Sequence, residues 1–516
     1  MKKTWGAGLL LILCASCEVE DPTEPRLTRE QACAGIVDST AEGAPRDWAA
    51  LAGCDLLTAH DIMLANHPGP VDEENPGFLA VADKALAGAL ELVPRVNTPE
   101  AFQNVLAAYS APFRDGHFGV HGTQALFDLP SSREGGPRWA GVVIGFRDGH
   151  LAVAHAEPEL GISEGDALIG CDGIDAKELM HRNVFAFATR DPKSPTSWRT
   201  EAHRLLRHYG NPFVELPKSC EFETETGRIG MELDWRPFTQ EVRWPAERKS
   251  LFGPKPAVGM QEIRPGVWWI QLPDFSPTTE EEIYGIKNLI ADVAASREEL
   301  ATSKAIVFDT RGNQGGSSVW GRRVLKALYG EEYVDHRTHQ PGVEVHWRAS
   351  EENETYLESL GDRFNETGET ELAHFVIEVA VGMRTARETG LEFYVASRED
   401  DEAPAPAGPH DVKAKTYLFT HGWCASACLD FADYALAMEG LTHIGHATGS
   451  DSYYMEVRQE KLPSGFSRVV VPIKVYRNRM RGNGDYYTPE FGFDEFDWTD
   501  ESVREWFLEE VYSRAH

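Results

Sequence analysis

Two short apolar segments in the second half of the chain, 305–308 and 416–420, each run directly into a polar loop. Their length and their β-branched and aromatic residues are typical of buried strands. An apolar strand at 267–272 and an amphipathic helix near 280–295 precede the first of them. This alternation predicts a parallel α/β core that begins near residue 263. Reactive groups in open α/β sheets collect beyond the carboxyl ends of the strands, so the two loops are the first candidates for a site.

The first loop, 309–316, reads Asp-Thr-Arg-Gly-Asn-Gln-Gly-Gly. Its three glycines allow a tight turn whose backbone amides point at a ligand. Glycine-rich turns also occur for purely structural reasons. This loop alone therefore identifies no function.

The second loop runs from a strand into an apolar helix and contains Ser426 between Ala425 and Ala427. A serine at a helix start can hold its hydroxyl close to amides that lack a helical acceptor, and these would stabilise an oxyanion. The alternative is that Ser426 only caps the helix. Cys424 and Cys428 are four residues apart, which predicts that they pack behind the serine on one helical face rather than bond to each other.

The first 26 residues read as an export signal followed by a short tether. Two lysines precede the apolar run Leu9–Leu13, and the residues Ala15-Ser16-Cys17 follow it. The run is too short to span a bilayer. Small residues before a cysteine resemble a bacterial lipobox, which implies that a lipidated Cys17 tethers the protein to a membrane. An ordinary cleaved signal is the alternative.

Six cysteines follow this segment, an even number that permits disulfides in an oxidising compartment. They are Cys33, Cys54, Cys171, Cys220, Cys424 and Cys428. The pair Cys33 and Cys54 is the most local candidate. The sequence leaves the remaining pairing open.

The spacing of apolar residues divides the rest of the chain into parts that differ in character. The predicted parts are a helical N-terminal module at 27–125, a β domain at 130–185, a connector at 186–262 and the α/β core at 263–516, with an insertion at about 330–411. The insertion is charged and proline-containing, which favours a mobile or helical cap.

The predicted β domain contains turns that resemble those of PDZ domains. Gly161, the pair Gly165-Asp166 and the pair Asp172-Gly173 match the PDZ pattern. The resemblance implies that this PDZ-like domain binds an extended peptide along a sheet edge. Another small β-barrel is the alternative.

The composition excludes some functions. A formal net charge of -32 repels polyanions, so we expect no binding to nucleic acid or to an anionic membrane face. No cysteine or histidine spacing forms a zinc site, and the sequence contains no HExxH. We expect neither a metal nor an organic cofactor.

Together the two loops resemble the tail-specific, or C-terminal-processing, serine peptidases, including the tricorn-type branch. The family pattern DxRxNxGG is matched at 309–316. The nucleophile box SASASE is matched at 424–429, with Leu429 in place of the closing glutamate. The resemblance implies an α/β fold with a crotonase/ClpP-like ββα core.

The same resemblance implies roles for particular residues. Ser426 is the nucleophile by this alignment. The oxyanion hole combines the amide of Ala427 with an amide from Gly315 or Gly316. These roles are expectations from the family pattern.

The base must differ from that of the common family members, which use a lysine. Asp451 stands in its place, which excludes a Ser-Lys dyad at that position. The tricorn-type branch uses a histidine before the PDZ-like segment, and 114–120 resembles that box. His117 is then the base, because a near-neutral pKa suits proton transfer from serine. In that branch a glutamate near the end of the sequence helps to orient the site. Asn483 aligns with this glutamate, so Asp485, the nearest carboxylate in the sequence, is the predicted orienting residue.

These residues predict an exported serine peptidase that cleaves polypeptides through an acyl-enzyme on Ser426. The expected location is the bacterial cell envelope or the medium, with membrane contact only through Cys17. The main alternative is an inactive protein that binds peptides or apolar ligands, because the core also resembles the modules of the interphotoreceptor retinoid-binding protein. Acyl chemistry of the crotonase type is a third possibility, but its nucleotide-binding surface does not fit so acidic a chain. The sequence leaves the oligomeric state open.

Overall fold

The structure is a computed structural model that describes residues 28–36, 46–130, 136–239, 242, 255–396, 408–496 and 498–515. The predicted signal and tether at 1–26, including Cys17, lie outside the described residues. Within these ranges, none of the helices has both the length and the apolar character that a bilayer span requires.

The first part of the chain is mainly helical. Its helices span Arg29–Ala32, Trp48–Asn66, Phe78–Leu92, Pro99–Ser110 and Gln124–Phe127, and strand β1 spans Gly119–Gly122. Three helices begin at a side-chain cap, because Thr28 accepts from the amide of Gln31, Asp47 from that of Ala50 and Thr98 from that of Ala101.

A mostly antiparallel β unit follows. Its strands are β2 (Arg138–Trp139), β3 (Val142–Arg147), β4 (His150–Ala156), β5 (Ala167–Cys171), β6 (Ile174–Asp175), β7 (Arg207–His208), β8 (Ser219–Thr224), β9 (Gly227–Glu232) and β10 (Arg236–Pro237), with helices Ala176–Asn183 and Pro195–Glu201. The main sheet has the order β3-β4-β5-β8-β9, with β6 on β5. It therefore extends beyond the predicted boundary at residue 185, because β8, in the predicted connector, returns to pair with β5. The PDZ-like assignment stays a prediction.

The last part of the chain alternates strands and helices. The strands are β11 (Gly259–Arg264), β12 (Val267–Gln271), β13 (Ala305–Asp309), β14 (Glu344–Arg348), β15 (Phe393–Ala396), β16 (Lys415–Thr420), β17 (Leu441–Gly445), β18 (Tyr454–Lys461), β19 (Ser467–Arg477) and β20 (Phe491–Gly492). The helices span Glu280–Ala295, Arg297–Thr302, Ser318–Tyr329, Glu331–Thr338, Glu351–Glu366, Thr370–Glu388, Ala427–Leu436, Asp500–Trp506 and Ser513–Ala515.

The central sheet has the strand order β11-β12-β13-β16-β17-β20. β11 is antiparallel to β12, and all the other pairs are parallel. All five residues of β13 are buried, because helices cover both faces of the sheet. This explains why the segment reads as a continuous apolar run, and the predicted α/β class is confirmed.

A second sheet joins the helical first part to the end of the chain. β19 is its longest strand and pairs with β1, β14 and β18. The N-terminal helices share one apolar core with this sheet, in which Phe102 and Leu106 cluster with Phe466 and Val469. The predicted insertion belongs to it too, since β14 and β15 extend the sheet and the helices Glu351–Glu366 and Thr370–Glu388 pack together beside it.

The described cysteines form three disulfides. Cys33 is bonded to Cys54, as predicted, and Cys171 to Cys220, which ties β5 to β8. The third bond joins Cys424 to Cys428, which contradicts the prediction that these two only pack side by side. That prediction placed both on one helix, but the helix begins at Ala427, so Cys424 precedes it and can turn back to its partner.

Candidate active site

The two loops singled out by sequence leave the same edge of the central sheet. β13 and β16 are neighbouring parallel strands, and Asp309 lies opposite Phe419 in their register. The carboxyl ends of both strands therefore place the loop 309–316 beside the loop 421–430.

Ser426 lies at a sharp turn between β16 and the helix Ala427–Leu436. Its backbone angles are φ 55° and ψ -127°, a conformation that residues other than glycine adopt only where their surroundings hold them in it. The side chain makes no capping hydrogen bond, so the helix-cap alternative finds no support here. The amide of Ala427 opens the helix, where no helical acceptor faces it.

The glycine-rich loop contacts this turn directly. A Cβ atom at Gly315 would lie 2.7 Å from Ser426 Cβ and 3.1 Å from the amide nitrogen of Ala427. Gly315 also has a φ of 111°, which L side chains rarely adopt. Only glycine therefore permits so close an approach, and the two predicted halves of the site meet.

The polar side chains of the first loop fix its shape. Arg311 and Asp309 form a buried ion pair at 2.6 Å, and Arg311 also binds Asp500 at 2.7 Å. Asn313 donates to the carbonyl of Leu272 and accepts from the amide of Gly315 at 2.9 Å.

The amide of Gly315 is thus already engaged inside its own loop. This leaves Gly316 as the loop's candidate for the oxyanion hole beside Ala427. A Cβ at Gly316 would lie 2.0 Å from the carbonyl oxygen of Phe275, so this position also requires glycine.

His117 stands two residues before β1, which pairs with β19. Its neighbour Asp115 is buried and accepts from the backbone amide of His117 at 2.8 Å. The ring atom Nδ1 of His117 lies 3.6 Å from the same carboxylate oxygen, an ion-pair distance. Asp115 is therefore the carboxylate that faces the His117 ring. The sequence offered a signal for it, an acid two residues before the histidine in the same box.

The late segment does not supply that contact. Asp485, the carboxylate predicted to orient the base, is exposed and accepts from the amide of Gly482 at 2.9 Å. Asn483 accepts from the amide of Tyr453 at 2.9 Å. Both residues shape the turn beside the site, and the role assigned to Asp485 stays a prediction.

Asp451, at the position where the peptidases that the sequence resembles carry a lysine, lies against Ser426. Its carboxylate accepts a hydrogen bond from the backbone amide of Ser426. The next residue, Ser452, donates its hydroxyl to Asp115 at 2.8 Å. Sequence reasoning excluded the lysine at this place but did not assign these two residues a role.

The site is strongly negative around His117. Burial of the ring lowers its pKa, but the carboxylates of Asp115, Asp451 and Asp430 outweigh this and raise the pKa to about 9. Burial has the opposite effect on a carboxyl group, and it raises the pKa of Asp451. Asp430 is neutralised in part by Arg479, with which it forms a hydrogen-bonded ion pair.

A cavity of about 390 Å³ opens beside this cluster. Asp115, Asp451 and Ser452 belong to its polar lining. Its apolar and aromatic lining comprises Phe78, Val81, Pro112, Phe113, Tyr454 and Tyr486. Across the described ranges, no three His, Cys, Asp or Glu side chains are grouped as a metal site would require.

Comparison with known proteins gives a match in fold. No protein-family model and no curated sequence matches the chain. Mature CPAF complexed with lactacystin matches with a TM-score of 0.55 and 11% identity, over 91% of this chain and 98% of the other. A second structure of mature CPAF matches with a TM-score of 0.54 and 11% identity, over 90% of this chain and 98% of the other.

The photosystem II D1 C-terminal processing protease matches with a TM-score of 0.32 and 13% identity, over 87% of this chain and 94% of the other. The two CPAF matches show that the fold is that of mature CPAF over nearly the whole length of both chains. The resemblance that the sequence motifs indicated is confirmed at the level of the fold.

Proposed function

We propose that this protein is an exported serine peptidase that cleaves polypeptides through an acyl-enzyme on Ser426. One observation carries the proposal. Ser426 occupies a strained turn against Gly315, and a single loop joins it to the His117–Asp115 pair. Ser426 and His117, which are distant in sequence, are thus held near each other. Both carry side-chain groups that suit acyl transfer.

In the first step, the hydroxyl oxygen of Ser426 attacks the scissile carbonyl while His117 takes the hydroxyl proton. The amides of Ala427 and Gly316 stabilise the oxyanion that forms. The C–N bond then breaks, and the leaving amine receives the proton from His117. Water attacks the acyl-enzyme with the same help, which releases the new carboxyl end and restores Ser426.

Asp115 orients the base in this scheme. Its buried carboxylate faces Nδ1 of His117, which leaves the other ring nitrogen for the proton transfer. Because the pKa of His117 is about 9, the neutral base accumulates only in alkaline solution. We therefore expect kcat/KM to rise with pH up to about 9.

The chemistry of the cysteines and of the first residues supports export. Three disulfides join the described cysteines, a content typical of oxidising compartments. The sequence at 1–26 has the pattern of a secretory signal, and acylation of Cys17 would hold the protein in the cell envelope.

A second candidate function is peptide binding without cleavage. The observation that favours it is the raised pKa of His117, since a protonated imidazole cannot accept the serine proton. In that case the cavity beside the site would hold the ligand, and Ser426 would be inert.

Labelling with a fluorophosphonate separates these candidates. Intact mass is measured at pH 7 and pH 9 for the wild type, Ser426→Ala and His117→Ala, with Ser359→Ala as a surface control. One adduct on the wild type and the control, absent from Ser426→Ala and strongly slowed in His117→Ala, supports the peptidase. A folded wild type that gains no adduct at either pH contradicts it and favours the binding protein.

A further inference from the structure

We propose that Asp451 and Ser452 form a positioning bridge that holds the nucleophile and the base in register with each other. This inference rests on the proposed function of Ser426 and His117. The bridge consists of two adjacent residues with two different targets, one on each side of the site.

The first arm of the bridge reaches the nucleophile. The carboxylate of Asp451 accepts the backbone amide of Ser426, whose positive φ needs an anchor. Because the bond is to the backbone, it fixes the turn itself and leaves the serine side chain available for attack.

The second arm reaches the base through its carboxylate. The hydroxyl of Ser452 donates to Asp115 at 2.8 Å and accepts from the amide of Tyr454 at 3.0 Å. Asp115 in turn contacts both the backbone and the ring of His117. Ser452 therefore acts on His117 only through Asp115, which makes it a positioning residue.

Asp451 and Ser452 belong to the loop that follows β17, and hydrogen bonds hold this loop in place. The amide of His446 donates to the carbonyl of Thr420 at 2.9 Å, and the amide of Gly449 donates to that of Cys424 at 3.0 Å. The hydroxyl of Thr196, from the β unit, donates to the carbonyl of Thr448 at 2.8 Å. Contacts from several parts of the fold thus determine where Asp451 and Ser452 lie.

The charge of Asp451 has a separate effect on the base. The charged groups that most affect the pKa values of Asp451 and His117, besides these two residues themselves, are the carboxylates of Asp115 and Asp430 and the guanidinium of Arg481. Arg114, Asp191 and Lys193 also line the cavity beside them. Arg481 also pairs with Asp430 at 3.4 Å. Removing the charge of Asp451 would therefore make the surroundings of His117 less negative while Asp115 keeps facing the ring.

Two substitutions at residue 451 separate the anchor from the charge. Asp451→Asn keeps an oxygen that accepts the Ser426 amide but removes the charge, whereas Asp451→Ala removes both. We expect Asp451→Asn to move the acid limb of the kcat/KM profile to lower pH by about one unit. We expect Asp451→Ala to lower kcat by about 100-fold with KM changed by less than about threefold.

Ser452→Ala removes the second arm alone, and we expect it to lower kcat by about tenfold. In the variant that combines Asp451→Ala with Ser452→Ala, the losses should be less than multiplicative, because both arms serve one alignment. Asp148→Asn, the same acid-to-amide change in an exposed turn, and Ser359→Ala serve as matched controls. Thermal unfolding checks that each variant is folded, and Ser452→Ala carries the test if the Asp451 variants are not.

The outcomes distinguish this inference from the proposed function. An active wild type whose kcat and pH limb are unchanged in all bridge variants overturns the bridge and leaves the peptidase standing. A wild type that neither hydrolyses peptides nor takes up the fluorophosphonate overturns both.

Discussion

At the scale of single residues, the backbone conformation of Ser426 and the absence of a side chain at Gly315 depend on each other. The serine needs a backbone conformation that is rare outside glycine, and the loop that faces it has no room for a Cβ atom at Gly315. The close approach has a function in the proposed mechanism, because it brings the amide of Gly316 toward that of Ala427. A methyl group at Gly315 would have to push the loop away from the turn.

We therefore expect Gly315→Ala to slow fluorophosphonate labelling of Ser426 by about 100-fold or more while the protein stays folded. The matched control is Gly285→Ala, because Gly285 lies in the helix Glu280–Ala295 with nothing within 4 Å of its would-be Cβ. That variant should label like the wild type and be slightly more stable. Equal labelling rates for both variants would contradict the close packing of Gly315 against the turn at Ser426.

His117 also links the site to the stability of the protein. Its pKa in the folded protein is about 9, above the ordinary 6.5, so folding favours the protonated ring. This contribution is complete below pH 6.5 and is lost as the pH rises through 9. We expect the advantage of the wild type over His117→Gln in free energy of unfolding to be on the order of 3 kcal/mol larger at pH 6 than above pH 10. Urea unfolding at the two pH values measures both differences, and a gap independent of pH would refute the assignment.

At the scale of elements, the disulfide between Cys424 and Cys428 encloses the turn that presents Ser426. It closes a short loop, so its effect on the unfolded chain is about 2 kcal/mol or less. Its larger effect should be on the turn, because both cysteines are fully buried and Cys428 belongs to the helix that follows.

We expect the double variant Cys424→Ala with Cys428→Ala to lose about 2 kcal/mol or less of stability but about tenfold or more in labelling rate. The control is the pair Cys33→Ala with Cys54→Ala, whose disulfide joins the end of the helix Arg29–Ala32 to the helix Trp48–Asn66. Removing that bond should cost stability and leave labelling of the folded fraction unchanged. Identical labelling by both double variants would show that the bond does not support the turn.

The elements themselves differ in how far the sequence reveals them. The run at 305–308 could be predicted as a buried strand because its apolar pattern is local. That the two motif loops lie side by side could be predicted because both follow the carboxyl ends of strands in an α/β sheet. The pairing of β8 with β5 could not, because the partner lies about fifty residues away and its alternation reads equally well as an independent hairpin. The contact between Asp115 and His117 could also have been predicted, since both residues lie in the segment 114–120.

At the scale of the whole molecule, the site is assembled from the two ends of the chain. His117 precedes β1, Ser426 follows β16, and the strand β19 holds the first part against the last. At this junction, hydrogen bonds to Asp55 connect the N-terminal helices to the start of β19. Asp55 is fully buried in the helix Trp48–Asn66 and accepts from the amide and hydroxyl of Ser464, at 3.0 and 2.6 Å, and from the hydroxyl of Ser467.

We expect Asp55→Ala to lower the free energy of unfolding by about 3 kcal/mol, because it leaves several buried donors without an acceptor. Labelling of Ser426 should slow as well, since Ser467 begins β19 and pairs with Gly122 of β1, the strand that follows His117. The matched control is Asp61→Ala in the same helix, where the side chain is half exposed and faces Arg29 at 3.8 Å. That change should alter stability by less than about 0.5 kcal/mol. If Asp55→Ala loses stability but labels at the full rate when folded, the junction holds the fold together without setting the distance between His117 and Ser426.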